Sequence, residues 1–213
     1  MNENYIKLTR FPKDFCGNII SEQWKAQRTE LLNFLYSCEH GLIDIHTSEL
    51  KTNYFTRARK YDEKLYHISI KKHKMNYNIE YDGYISTSFF ISLPGKIDSF
   101  HIDTERSCAI NFPVEVNNET SAFRIGKNSD LASYEFRSSK IKDWQHKFYD
   151  GKGKGTFNLT DNEFESYGLE EAVLFNSKIP HGGANFGDDI RVIGSIGFNK
   201  PYSEVIEHFK DWM

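Results

Sequence analysis

The sequence predicts a mainly β protein, an antiparallel sandwich or barrel with helices outside it. Three observations carry this. Between about residue 80 and residue 200, short β-rich runs follow one another, separated by polar turns such as "EVNNET". No long helical period interrupts them, so the βαβ alternation of a parallel sheet is missing. The chain is fairly polar, 38% hydrophobic against 27% charged, but 15% aromatic residues give it the material for a core.

Taken in order, "SEQWKAQRTELLNFLYSCEH" is the clearest helix. Ser21 can cap it, and Trp24, Leu31, Leu32 and Leu35 fall near one face, as on a helix packed outside a sheet. "KLYHISIKK" and "YNIEYDGYI" alternate as strands do, and "IDSFHID", "SCAINFPVEV", "SAFRIG" and "SYEFRSS" follow. "GKGKGTFNLTD", with three glycines in five residues, reads as a flexible loop and a candidate lid; it lacks the phosphate-loop spacing. "EEAVLFN" and "IRVIGSIGF" are the last strands, and "YSEVIEHFKDW" is a closing helix. A length of 213 residues suits one domain: 1–83 as the N-terminal helix and supporting strands, 84–200 as the β core and 201–213 as the C-terminal helix.

The net charge of -3 provides no field to steer the protein toward nucleic acid. The basic clusters "RARK" and "KKHK" read as solvated loop ends and guarded strand edges. Three scattered cysteines, Cys16, Cys38 and Cys108, form no C-x-x-C pair and fit a reducing compartment; Cys108 reads as a small core residue. No apolar leader and no 18-residue apolar run is present, so the expectation is a cytoplasmic protein with no membrane partner.

The chemistry lies in two stretches. "HIDTERSCAINFPV" opens with His101-x-Asp103, a pair weak by itself, whose residues point the same way if both lie on one strand. "LFNSKIPHGGANFGDDIRVIGSIGF" carries His181 in a Pro-His-Gly-Gly loop between two strands. Arg191 follows ten residues later at the head of a strand, with Ser195 on the same face. Two histidines and one carboxylate arranged facially bind non-haem Fe(II) and leave positions open. An arginine inside the same barrel demands an anion, and a dicarboxylic co-substrate would match its fork.

The order His-x-Asp, then His about eighty residues on, then Arg ten further, resembles the Fe(II)/2-oxoglutarate-dependent oxygenases over about residues 84–200. Within them the texture is similar to the prolyl and aspartyl/asparaginyl hydroxylase branches and to small microbial or phage members. The resemblance implies a double-stranded β-helix, that is, a cupin-like jelly roll, with an N-terminal helix and peripheral strands packed outside. It implies His101, Asp103 and His181 as iron ligands and Arg191 on the distal carboxylate of 2-oxoglutarate. It implies O2 as oxidant and hydroxylation of a C–H bond, coupled to decarboxylation of 2-oxoglutarate to succinate. Some branches carry a Ser or Thr two residues after the arginine; here that position is Ile193, and the nearest hydroxyl on the face is Ser195. Asn111 is the candidate for the near end of the co-substrate, unless the opposite strand register turns Cys108, Ile110 and Phe112 inward.

The implied substrate is an amino-acid side chain, free or in a peptide or protein, or a small metabolite. A cupin-like isomerase or lyase without 2-oxoglutarate, and a binding module that kept only the barrel, are the other readings. Arg106 reads as a surface partner of Glu105 or another acid, or as a side chain reaching into the barrel mouth. The histidines at 40, 46, 67, 73, 146 and 208 have no acid two residues on and read as structural or exposed.

Overall fold

A computed structural model of the chain describes residues 4–11, 24–26, 28–33, 44–46, 55–62, 64–70, 81, 83–139 and 155–213. The strand Arg191–Phe198 is buried at all eight positions, so both of its faces are covered. Val192, Ile196 and Phe198 turn to one apolar cluster, and Ile193 turns to another. That two-sidedness is the key to the architecture: helices cover one face of the large sheet, and a second sheet covers the other.

Fourteen strands are described. They are β1 (Tyr5–Leu8), β2 (Asp44–His46), β3 (Phe55–Asp62), β4 (Leu65–Ile70), β5 (Tyr84–Ser92), β6 (Phe100–His101) and β7 (Cys108–Glu115). Then come β8 (Ser121–Gly126), β9 (Glu135–Ser139), β10 (Gly155–Asn158), β11 (Phe164–Tyr167), β12 (Ala172–Asn176), β13 (His181–Asn185) and β14 (Arg191–Phe198). The large sheet runs β1-β12-β7-β14-β5-β4-β3-β2 and the small one β11-β8-β13-β6-β10-β9.

Within them lies a nested set of antiparallel pairs: β5 with β14, β6 with β13, β7 with β12, and β8 with β11. The chain is one long hairpin rolled into a barrel, which is the double-stranded β-helix, or jelly roll, expected from the sequence. The β1 to β4 strands extend the large sheet at both of its ends.

Three apolar clusters follow from this. Trp24, Leu31 and Leu32, from helical residues 24–26 and 28–33, pack with Phe89, Ile110, Phe112 and Phe198 and with Val205 and Phe209 of the chain end. The Trp24 indole donates to Glu115 at 2.6 Å, and Arg28 grips the same carboxylate from 2.9 Å, anchoring this helix to the end of β7. Ala109, Phe123, Ile125, Val173, Phe175 and Ile193 fill the barrel interior. Phe100, Ile102, Tyr134 and Phe157 make a smaller cluster on the far side of the small sheet. The chain closes with the helix Tyr202–His208, as its sequence indicated.

Two expectations change. The middle of "GKGKGTFNLTD" is not a loop: Gly155–Asn158 is β10, paired with β6 and β9, because Phe157 has a core to enter. Residues 151–154 lie outside the described residues, as do Ser21, Leu35 and most of "YNIEYDGYI". "IDSFHID" contributes only Phe100–His101 as strand, so Asp103 lies beyond the strand end. Among the described residues no helix is long and apolar enough to cross a membrane.

Candidate metal centre

The register of the small sheet sets the first two ligands. His101 and His181 are directly opposed across the β6–β13 pair, with ring centroids 4.6 Å apart. Directly opposed residues share a face, so both imidazoles enter the barrel mouth. Asp103, two residues past His101, arrives by a different route. Its N–H donates to the Ser177 carbonyl at 2.9 Å, which bends the chain back toward β13. One ligand atom from each of His101, Asp103 and His181 then falls within 4.8 Å of the others.

The protonation pattern fits a cation. Nδ1 of His101 lies 2.9 Å from the Ser99 carbonyl, and Nδ1 of His181 lies 2.9 Å from the Ile179 carbonyl. A carbonyl only accepts, so each Nδ1 carries the proton and each Nε2 carries a lone pair. The His181 Nε2 is sealed from solvent and has no hydrogen-bond partner. It lies 3.7 Å from Oδ2 of Asp103. Burial pushes the His181 imidazole down to about 3, keeping it neutral. Burial alone would raise Asp103, but the charge and hydrogen bond of the Arg106 guanidinium lead the effects that outweigh it and hold the carboxyl well below its ordinary range. A neutral imidazole with an orphaned lone pair beside a carboxylate is the donor set a borderline divalent metal takes.

Deeper in the barrel lies Arg191, only 2% exposed. Its Nε and Nη2 are sealed and without hydrogen-bond partners. Burial pushes its guanidinium down to about 10, opposed by the charge of Asp98. The space for it comes from Gly183, where a Cβ would stand 2.9 Å from Nη1 of Arg191 and 3.1 Å from Oδ2 of Asp98. The His-Gly-Gly segment expected as a loop is therefore strand β13, and its glycines serve close approach rather than a turn. Gly183 is two residues along β13 from His181, on the same face, so about 7 Å of strand separates the ligand corner from the guanidinium.

Asn111 and Ser195 are directly opposed on β7 and β14, with Ser88 next on β5, and all three are buried. They form a polar band across the barrel floor. Asn111 faces the interior and its Oδ1 is sealed and unpartnered, whereas Cys108, Ile110 and Phe112 face the helices. Ala109, on the same face as Asn111, packs in the barrel interior, so the opposite register is excluded. The Cys108 thiol, pushed up to about 12 by burial, is the core residue expected.

Arg106 does not pair with Glu105 on the surface. Its Nε donates to Oδ2 of Asp103, and its Nη1 donates to Oγ of Ser195 at 2.7 Å. Ser195 therefore serves Arg106 rather than Arg191. Two residues that the sequence reading missed hold this corner together. The Ser177 hydroxyl donates to the Arg106 carbonyl at 2.8 Å, and the Lys178 ammonium donates to the carbonyls of Asp103 and Thr104 at 2.9 and 3.3 Å. Their only sequence signal is a polar "NSK" just ahead of His181.

No family model matches the sequence, and no curated protein does. Solved structures do match. The E. coli protein ycfD is 13% identical over 99% of this chain and 53% of its own, with a TM-score of 0.45. CapF, a capsular polysaccharide assembling protein of Staphylococcus aureus, is 14% identical over 78% of this chain and 30% of its own, with a TM-score of 0.38. A sugar phosphate isomerase of the cupin superfamily from Silicibacter pomeroyi is 9% identical over 63% and 60%, with a TM-score of 0.33. The chain spans about half the length of ycfD and under a third of CapF. The jelly-roll assignment rests on the strand pairing described above, and the site rests on its own residues.

Proposed function

We propose that the protein is an Fe(II)- and 2-oxoglutarate-dependent dioxygenase that hydroxylates a C–H bond of an amino-acid side chain, free or in a peptide or protein, or of a small metabolite. One observation carries this beyond a bare metal site: the buried guanidinium of Arg191, with Nε and Nη2 unpartnered, two strand positions from the ligand corner. A buried cation without matching acceptors is costly, and a carboxylate offers two parallel acceptors to its fork. An isomerase or lyase of the same fold has no need of a dicarboxylic co-substrate.

In this reading His101, Asp103 and His181 hold the metal and leave its remaining positions open. Arg191 takes the far carboxylate of a dicarboxylate whose near end reaches the metal, a span matching the strand distance between Gly183 and His181. Asn111 faces the path between them and would hold the near end. Phe123, Phe175 and Ile193 exclude water from that path. Bound Fe(II), with O2 and 2-oxoglutarate, supplies the oxidising power, and succinate and carbon dioxide leave as co-products.

The test is succinate formation from 2-oxoglutarate with Fe(II) in air, with and without candidate substrates. Wild-type protein is expected to form succinate. Arg191→Ala is expected to form none while still binding Mn(II). Metal binding without succinate under any condition would move the assignment to a cupin-like metal enzyme. No metal binding at all would leave a barrel used only for binding.

A further inference from the structure

We propose that Arg106 is a positioning residue for the metal centre: it orients the Asp103 carboxylate and ties it to the floor of the barrel through Ser195. This rests on the metal-centre reading but not on 2-oxoglutarate.

The first support is where Asp103 sits. Unlike the two histidines, it lies beyond the end of its strand, so no ladder fixes its side chain. Its backbone is stitched down by the Ser177 carbonyl and by Lys178, but these contacts leave the carboxylate free to rotate. Only Arg106, among the described residues, donates a hydrogen bond to that carboxylate. The same oxygen, Oδ2, lies 3.7 Å from Nε2 of His181, so the atom that Arg106 holds is the one facing the other ligands.

The second support is what holds Arg106. Its Nη1 donates to Ser195 on β14, in the opposite sheet from both histidines. The guanidinium stands 5.7 Å from the ring of Phe90 and 6.0 Å from that of Phe175, within cation–π reach of both. The stem crosses β14 at Gly197, where a Cβ would lie 3.3 Å from Cδ of Arg106. A side chain that starts in the ligand loop, crosses a glycine and ends on the facing sheet acts as a strut. It ties the Asp103 carboxylate to the sheet that carries Arg191, Ser195 and Asn111.

Removing partners that orient metal ligands costs about 10- to 100-fold in metal affinity. The experiment is a Mn(II) titration of the protein, with Co(II) absorption spectra as a second readout and thermal unfolding of the metal-free protein as a control. Arg106→Gln is expected to weaken Mn(II) by about 10- to 100-fold and to change the Co(II) bands. Arg106→Lys, which keeps charge but not the fork, is expected to recover only part of the loss. Ser195→Ala leaves the arginine in place and removes one end of its seat, and Gly197→Ala crowds its stem, together with Ser86 and Ile85; both are expected to shift the Co(II) bands in the same direction by less. They keep the test open should Arg106→Gln fail to fold. Mn(II) affinity within twofold of wild type, with unchanged Co(II) bands, would overturn the proposal. So would a loss of thermal stability with no spectral change, which marks a purely structural arginine. Failure of the wild-type protein to bind either metal would remove the metal centre itself and this proposal with it.

Discussion

His181 is the residue on which most of the site's physics converges. The Ile179 carbonyl fixes its tautomer, Phe175 and Phe123 flank its ring, and burial pushes it from 6.5 down to about 3. Its folded value lies below its unfolded one, so between those values the unfolded chain binds the extra proton. The stability is present above about pH 6.5 and is lost as pH falls toward 3. Metal-free protein should therefore lose stability as pH falls through that window. Urea unfolding at several pH values measures the slope, and His181→Gln should flatten it. Arg191 yields a second prediction at this scale. Arg191→Lys keeps the charge but loses the fork, removing one charged hydrogen bond of about 1.5–3 kcal/mol. Calorimetry with Mn(II) present should show 2-oxoglutarate weakened about 10- to 100-fold, with the Mn(II) affinity itself unchanged. His101, Asp103, His181 and Arg191 were singled out because their order along the chain resembles that of a known oxygenase family, and the structure brings ligand atoms of the first three within 4.8 Å of one another. Ser177 and Lys178 were not, because they act through backbone carbonyls that many polar residues could meet.

At the scale of the element, glycine misled. A run of Gly-Gly after His181 looks like a turn when only conformational freedom is considered, but β13 uses those positions as clearances. Gly183→Ala would put a Cβ 2.9 Å from the Arg191 guanidinium. It should cost 2-oxoglutarate about tenfold or more in affinity, with Mn(II) binding retained, in the same calorimetric experiment. Gly194 has the same logic on the opposite face of β14: a Cβ there would overlap the Phe112 ring at 2.0 Å. Gly194→Ala should destabilise by about 1–3 kcal/mol in urea unfolding, with both ligand affinities near wild type in the folded protein. The strands β7, β8 and β12 were legible because each is a short β-rich run bounded by polar turns, and all three are buried on both faces. β5 was harder, since "YISTSFFIS" mixes Ser and Thr into a strand that places Ser88 and Ser92 inside the barrel. There the polar band of the floor hides the apolar period that marks a strand.

For the molecule as a whole, the nested pairing makes the proposed ligands cross-links between distant parts of the chain. A metal on His101, Asp103 and His181 joins β6 to β13, and a dicarboxylate running to Arg191 joins that corner to β14 in the other sheet. The unfolded chain cannot assemble either set, so each ligand should stabilise the fold by mass action. The gain is about 2.7 kcal/mol at a hundred times the dissociation constant. In a domain of this size each kcal/mol moves the melting temperature by about 2–4 °C, so each saturating ligand should add about 5–11 °C. The increments should also come in order. The near end of 2-oxoglutarate is proposed to bind through the metal, whereas the proposed metal ligands already stand together without it. In thermal unfolding, Mn(II) alone should therefore raise the transition, and 2-oxoglutarate alone should barely move it. The two together should exceed Mn(II) alone by a second step. Arg191→Ala should keep the first step and lose the second, and His181→Ala should lose both. A second step that survives in Arg191→Ala would mean that the buried guanidinium is not what receives the dicarboxylate.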